Sequence, residues 1–205
     1  MMIERIILAS ASPRRKEMLE KFGISFDVIP SDADENISTD MPHDAYVSEL
    51  ARMKGREVEA RLIEKGEDLS HTLIISCDTI VSFDGRIIGK PHSRFDAELT
   101  LNLLSDSRHD VYSGLSLIYG GECILGCEKT RVLFSELDPA DIKKYVESGA
   151  SEGKAGSYGI QDTAAAFVSR IEGDYSNIVG FPLALFARML RESFGTTVFE
   201  LGDVK

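Results

Sequence analysis

The stretch that decides the fold is RIILASASPRRKEML, residues 5–19. Arg5 to Ala9 form an apolar run of the length and composition expected for a short buried strand. Ser12-Pro13 then opens a helix, because serine suits the N-cap and proline suits the first helical position. A strand that leads directly into a helix is typical of chains that cover a β-sheet with helices.

Strands and helices alternate over the first part of the chain, and a meander occupies its middle. The strongest strand, Thr72 to Phe83, precedes the hairpin turn signal Asp84-Gly85. The predicted strands cover residues 5–9, 26–29, 72–83, 86–88, 111–119, 122–134, 165–171 and 197–201. The predicted helices cover residues 13–22, 43–63, 94–104, 139–148 and 182–193. This order predicts one domain, residues 1–205, of α/β or α+β class with a mixed sheet.

Composition restricts the kind of partner. The chain has 205 residues, 43% of them hydrophobic, and a net charge of −11, so general affinity for nucleic acid or an anionic membrane is not expected. No stretch approaches the ~20 apolar residues of a membrane span. The cysteines are sparse and odd in number, which indicates free thiols in a reducing compartment. We therefore expect a cytoplasmic protein.

Basic residues occupy the wrong end of the first predicted helix. Arg14, Arg15 and Lys16 follow Ser12 in its first turn, where the helix dipole disfavours each cation by ~0.3–1 kcal/mol. A phosphate bound to the free N–H groups and to the two guanidinium groups would reverse that sign. The alternative is that the long side chains simply extend into solvent.

An aspartate interrupts the strongest strand. Asp78 lies among apolar residues, and a buried carboxylate needs a cation, a metal or a catalytic role; the alternative is a strand-end aspartate that faces water. Lys90, in Gly89-Lys90-Pro91, would return close to Asp78 if the hairpin closes, although it could be an exposed loop lysine. The acidic run at residues 32–35 suits Mg²⁺, or is a solvated loop.

A glycine-rich segment, KAGSYGIQ, occupies residues 154–161. Its glycines predict a close approach of the backbone to another group. Gln161 has both a donor and an acceptor, so it could read the edge of a nucleotide base. A glycine-rich turn with a capping amide explains the segment equally well.

Taken together and in this order, these segments resemble the Maf family of nucleotide pyrophosphatases. The resemblance extends from Leu8 to Leu183 and rests on LASASPRRKEML, CDTIV, GKP, KAGSYGIQ and VSRIEGDYSNIVGFPL. It implies an α/β fold similar to that of the inosine triphosphate pyrophosphatases, with a mixed central sheet, flanking helices and two lobes around a cleft. It also implies hydrolysis between the α- and β-phosphates with Mg²⁺ or Mn²⁺, a cytoplasmic homodimer with a house-cleaning role, and a link to inhibition of septum formation.

The same resemblance assigns roles by position. Asp78 matches the general base, which would deprotonate the attacking water directly or through the metal, and Glu35 and Asp78 match the metal-associated carboxylates. The remaining positions match substrate-binding residues: Ser12, Arg15, Lys54 and Lys90 for the phosphates, and Arg14, Thr79 and Gln161 for substrate choice. The YGIQ ending is similar to the branch that hydrolyses dTTP and UTP. Asp162 and Thr163 replace a glycine-containing turn, which leaves the base preference open.

Two other functions remain open at this point. The chain could be a nucleotide-sensing regulator of septum formation and cell division that performs no turnover. It could instead hydrolyse 7-methyl-GTP. The retained set of Asp78, Lys90 and Glu35 favours turnover, because sensing alone needs no general base.

Overall fold

A computed structural model describes residues 3–202 of the chain. Seven strands form one mixed sheet in the order β2-β1-β3-β5-β6-β7, with β4 paired to β3. The strands are β1 (Arg5–Leu8), β2 (Asp27–Val28), β3 (Thr72–Phe83), β4 (Arg86–Ile88), β5 (Arg108–Tyr119), β6 (Glu122–Phe134) and β7 (Val168–Glu172). β1 pairs in parallel with β2 and β3, whereas β3–β4 and β6–β7 are antiparallel.

Helices flank this sheet, so the α/β alternative of the sequence analysis is confirmed. The α-helices are α1 (Pro13–Glu20), α2 (His43–Glu64), α3 (Arg94–Leu104), α4 (Pro139–Glu147), α5 (Tyr175–Val179), α6 (Leu183–Met189) and α7 (Val198–Leu201). Short 3₁₀ turns occur at Ala155–Ser157 and Thr163–Phe167, and a π-helical turn at Leu190–Phe194. Within residues 3–202, no helix combines the length and the apolarity that crossing a membrane requires.

The chain divides into two compact units, and each is built from separate segments. The first unit runs to Asp78, resumes over Ser113–Glu128 and resumes again from Gly180; the second comprises Thr79–Tyr112 and Lys129–Val179. The predictions of a single domain over residues 1–205 and of a cleft between lobes stay predictions.

The core of the first unit lies between α2 and the sheet. Val58 and Leu62, one helical turn apart on α2, pack with the β-strand residues Ile7, Ile74 and Ile118. The helix approaches the sheet so closely that a Cβ atom on Gly114 of β5 would lie 2.2 Å from the backbone oxygen of Val47. Glycine at this position is therefore a requirement of the packing.

The core of the second unit is larger and more aromatic. It joins α3 and α4 to β5 and β6, with Leu101, Ile142 and Phe134 among its buried members. Phe134 makes edge-to-face contacts with Tyr158 and Phe167, at centroid distances of 4.9 and 6.2 Å. This packing fixes the segment that follows α4, which includes the glycine-rich KAGSYGIQ run.

Three segments differ from the sequence prediction. The predicted strand at 197–201 is wrong, because Thr197 and Glu200 form a capping box that starts the helix α7. The first three residues of the strand predicted at 165–171 belong to a 3₁₀ turn that Asp162 caps. The helix Tyr175–Val179 was not predicted.

Candidate active site

One face of β3 packs on α2, and this contact brings the first site residues together. The Ser76 hydroxyl donates a hydrogen bond of 2.7 Å to the backbone carbonyl of Ala51 on α2. Asp78 lies two residues beyond Ser76, on the same face of the strand. Lys54 lies three residues beyond Ala51, on the same side of the helix. Gly55 allows the close approach, because a Cβ atom there would lie 2.7 Å from the Ser76 Oγ.

Lys54 bridges two carboxylates. Its Nζ donates a short hydrogen bond to Asp78 Oδ1 and forms an ion pair of 3.0 Å with Glu35 Oε1. The side chains of Lys54 and Asp78 are 14% and 13% exposed, whereas that of Glu35 is 59% exposed. The cation that the partly buried Asp78 requires is therefore Lys54, from the middle of a helix. The sequence alone identified Lys54 only through the family resemblance.

The same two carboxylates meet the chemical requirement of a hard divalent cation. Asp78 and Glu35 each place an oxygen atom against the Lys54 ammonium, and Mg²⁺ commonly binds one or two carboxylates together with substrate phosphates. Within residues 3–202, no group of three or more histidine, cysteine, aspartate or glutamate side chains is arranged to hold a metal ion.

Arg15 braces the start of α1. Its Nε donates a hydrogen bond of 2.9 Å to the Gly180 carbonyl, and its Nη1 donates one of 3.1 Å to the Ser10 hydroxyl. Ser12 occupies the predicted N-cap position, but its side chain makes no capping hydrogen bond, and the first turn contains no acidic residue. Three cations thus lie at the helix end where the dipole disfavours positive charge, as predicted. Arg14 is half-buried beside it.

The second unit contains the other three predicted residues. Thr79 follows Asp78 on β3 and is half-buried, whereas Lys90 and Gln161 are exposed. The predicted hairpin is confirmed, since Val81, Ser82 and Phe83 pair with Ile88, Ile87 and Arg86. Lys90 lies just beyond this ladder, in the direction of Thr79.

A backbone hydrogen bond joins the two loops of this unit. The Gly156 N–H donates to the Gly89 carbonyl at 3.2 Å, which ties the glycine-rich run to the Gly89-Lys90-Pro91 turn. Gly156 has a φ of 70°, and a Cβ atom there would lie 3.0 Å from the Val81 side chain. The predicted close approach of the backbone is therefore to a strand residue of the protein itself.

Two polar contacts that support this loop escaped the sequence analysis. Lys154 Nζ lies 2.5 Å from Asp162 Oδ2, and Tyr158 Oη lies 2.7 Å from His109 Nε2. His109 is 2% exposed, and its burial lowers the pKa of the imidazole from 6.5 to about 4. The only sequence signal was indirect: a lysine and an aspartate at the two ends of a glycine-rich segment.

The structure thus places some of the predicted residues in contact with one another. It brings Glu35, Lys54 and Asp78 into contact, and it fixes Arg15 through its backbone partner at Gly180. The catalytic, metal-binding and substrate-selecting roles of the set stay predictions. The three cysteines are free, as predicted.

The chain is similar to known proteins over most of its length. Residues 5–193 match the family model described as Maf-like protein. The chain is 43% identical over 198 residues to a dTTP/UTP pyrophosphatase of Clostridium perfringens, an alignment that covers 95% of this chain and 99% of the relative. It is 43% identical over 189 residues to a dTTP/UTP pyrophosphatase of Thermococcus gammatolerans, covering 92% and 97% of the two chains. A dTTP/UTP pyrophosphatase of Caldicellulosiruptor saccharolyticus is 38% identical over 192 residues, with 93% and 95% covered.

Proposed function

We propose, from the premise that this chain belongs to the Maf family, that it hydrolyses dTTP and UTP to the nucleoside monophosphate and pyrophosphate. Relatives that are 38% to 43% identical to this chain are named dTTP/UTP pyrophosphatases. The observation that carries the proposal is the contact of Lys54 with both Asp78 and Glu35 in the first unit. Lys54 fixes the position of the partly buried Asp78 carboxylate, as a general base requires, and the exposed carboxylate of Glu35 next to it leaves room for a charged ligand.

Asp78 is the proton acceptor in this proposal. Lys54 holds Oδ1 of its carboxylate, so we assign Oδ2 to the attacking water. The water loses its proton to Asp78 as its oxygen bonds to the α-phosphorus, and the bond from the α-phosphorus to the bridging oxygen breaks. The electron pair of that bond leaves with pyrophosphate.

Basic residues stabilise the leaving group in this scheme. Arg14 binds the departing phosphates, and the N–H groups at the start of α1 favour an anion for the same electrostatic reason. Arg15 binds the Gly180 carbonyl through Nε and the Ser10 hydroxyl through Nη1. Its main role is therefore to hold the first turn of α1 in place.

A divalent cation, Mg²⁺ or Mn²⁺, completes the proposal. Glu35 and Asp78 would hold it, and it would supply charge neutralisation for the triphosphate and polarisation of the phosphoryl oxygens. Lys54 occupies the point where the two carboxylates converge. We expect activity to depend on the concentration of the added metal.

The test is pyrophosphate release from dTTP, UTP, CTP, GTP, ITP and 7-methyl-GTP, with Mg²⁺ and then Mn²⁺. We expect the highest rates with dTTP and UTP, and no release in EDTA. Asp78→Asn should lose most turnover and still bind the nucleotide, since the amide cannot accept the proton at neutral pH. The matched control is Asp84→Asn, an exposed aspartate of the β3–β4 turn, which should keep the full rate.

The alternatives give different outcomes in the same assay. If the protein hydrolyses 7-methyl-GTP faster than dTTP and UTP, it is a 7-methyl-GTP pyrophosphatase. Binding of nucleotides without release from any of them would favour the regulator of septum formation. If the Asp78→Asn variant keeps the wild-type rate, Asp78 is not the general base.

The cellular setting is a separate part of the proposal. We infer a cytoplasmic homodimer with a house-cleaning role, and a link to septum inhibition follows from the family resemblance. The three free cysteines are consistent with a reducing compartment. Phe95, Leu99 and Leu103 lie four residues apart on α3 and are 69%, 52% and 49% exposed, and exposed apolar patches often mark interfaces. Analytical ultracentrifugation tests the dimer, and a monomer at all concentrations would contradict it.

A further inference from the structure

We propose that Lys154, Asp162 and Tyr145 form a positioning cluster that fixes Gln161 and so determines base selectivity. This inference rests on the proposed function, because it needs Gln161 to face the base. The cluster acts on the base through Gln161, and its members are not catalytic residues. Neither the family resemblance nor the names of the relatives assigns a role to these three side chains.

The cluster closes the glycine-rich segment at its two ends. Lys154 and Asp162 stand eight positions apart, and their side chains meet at 2.5 Å. Lys154 Nζ also donates to the Ala150 carbonyl at 2.5 Å, while Asp162 Oδ1 accepts from the Ala164 N–H at 2.9 Å. The segment between them is therefore held as a closed loop that is attached to the turn after α4.

Tyr145 of α4 links the ion pair to the middle of the loop. Its hydroxyl accepts from the Gly159 N–H at 3.2 Å. Its single proton has two acceptor groups within reach, the Ala150 carbonyl at 3.2 Å and the Asp162 carboxylate, whose Oδ1 and Oδ2 lie at 3.3 and 3.4 Å. Burial, reinforced by Asp162, raises the pKa of this hydroxyl far above its usual value of 10. Tyr145 therefore stays protonated and remains a donor to the cluster at any physiological pH.

The side chains of the cluster are largely shielded from solvent. The Lys154 and Asp162 side chains are 15% and 26% exposed, and Tyr145 is 5% exposed. When one partner of such a partly buried charge pair is removed, the remaining unpaired charge destabilises the fold. Removal of either charge is thus expected to open the loop.

Gln161 directly precedes Asp162, so its backbone lies within the loop that the cluster closes. The Asp162 N–H donates to the Gly159 carbonyl at 3.0 Å, so a tight turn contains Gln161, and the Gln161 side chain extends from this turn into solvent. A displacement of ~1 Å is enough to cost on the order of a hundredfold where a group must match a ligand. The cluster therefore controls the property that depends on Gln161, the discrimination between bases.

The experiment compares UTP with CTP, which differ only at the base edge that an amide would read. Asp162→Asn keeps an oxygen for the Ala164 N–H and loses the charge that pairs with Lys154; Lys154→Met loses the other charge. We expect the ratio of kcat/KM for UTP over CTP to fall on the order of tenfold in each variant, with kcat for CTP unchanged. The double variant should fall no further than either single variant, because both remove the same interaction.

Two further variants separate positioning from general damage. Asp141→Asn removes one aspartate from α4, where it forms an exposed ion pair of 4.0 Å with Lys144, and it should keep the wild-type ratio. Lys154→Arg retains the charge and should restore most of the ratio. A UTP/CTP ratio unchanged in Lys154→Met and Asp162→Asn would overturn the proposal, as would an equal loss of kcat for both nucleotides. If Asp162→Asn fails to fold, the UTP/CTP ratio of Lys154→Met alone tests the proposal.

Binding of the non-hydrolysable α,β-imido analogues of UTP and CTP keeps the inference separate from the proposed function. If the wild-type chain hydrolyses neither nucleotide but binds the UTP analogue preferentially, the pyrophosphatase proposal fails. The cluster is then tested by the ratio of the two dissociation constants, which should fall by the same factor in the variants. If the wild-type chain binds both analogues equally or not at all, Gln161 does not read the base and the cluster proposal is overturned.

Discussion

Acidification is expected to destabilise the protein through one buried histidine, His109. Its side chain is 2% exposed, and the rings of Phe134 and Tyr158 lie edge-on to the imidazole at centroid distances of 5.0 and 5.4 Å. Burial lowers the pKa of His109 from 6.5 to about 4, against the opposite influence of Asp110. The perturbation that tests this is His109→Gln, which removes the titrating group and leaves a polar side chain near the Tyr158 hydroxyl.

The magnitude follows from the two pKa values. The folded protein holds the imidazole neutral, whereas the unfolded chain takes up a proton at the ordinary pKa. Between about pH 6.5 and about pH 4 the unfolded state therefore binds more protons, and the free energy of unfolding falls as the pH is lowered. The loss due to His109 between about pH 7.5 and about pH 5 amounts to about 2 kcal/mol.

Urea denaturation at these two pH values measures the effect. The unchanged protein should lose about 2 kcal/mol more than His109→Gln, because contributions from the other titrating groups cancel in the difference. His92→Gln serves as the control, since it removes an exposed histidine of the same unit and leaves the effect of His109 in place. Equal losses in the unchanged protein and in His109→Gln would refute the reasoning, because they would mean that the folded protein does not hold His109 neutral.

Two substitutions test the packing that creates the first group of site residues. Lys54→Met leaves the buried carboxylate of Asp78 without its cation, and it should lower the free energy of unfolding by about 3 kcal/mol. Adding Asp78→Asn to that variant should recover part of the loss, and no recovery would mean that the pair is not coupled. Gly114→Ala places a Cβ atom 2.2 Å from the Val47 oxygen and should cost about 3 kcal/mol. Gly89→Ala, whose Cβ atom meets nothing within 4 Å, is the control, and equal effects of the two alanines would contradict the close packing of α2.

The regular elements were predictable from local patterns. The strands Thr72–Phe83 and Glu122–Phe134 and the helix Arg94–Leu104 have the predicted bounds, because apolar periodicity and turn residues mark their ends. The error at residues 197–201 also has a local cause. These residues were predicted as a short strand, but the capping box of Thr197 and Glu200 stabilises a helix.

The site itself depends on contacts that no local pattern contains. Asp78 was identified because a carboxylate in an apolar strand requires a partner, but nothing near it in the sequence indicates that the partner is Lys54. That pairing follows from the packing of Ser76 against Ala51. Asp162 was noted only as a departure from the family pattern, whereas the structure gives it a partner in Lys154.

The link between Arg15 and Gly180 has a consequence for the protein while it is being made. The Gly180 carbonyl that fixes the guanidinium belongs to a segment 165 positions further along the chain, and the first unit is complete only once that segment is present. A nascent chain that has not reached Gly180 already contains Glu35, Lys54 and Asp78, yet it lacks the acceptor that holds Arg15. Because compact units fold as wholes during synthesis, we expect the start of α1 to reach its final form only late in translation.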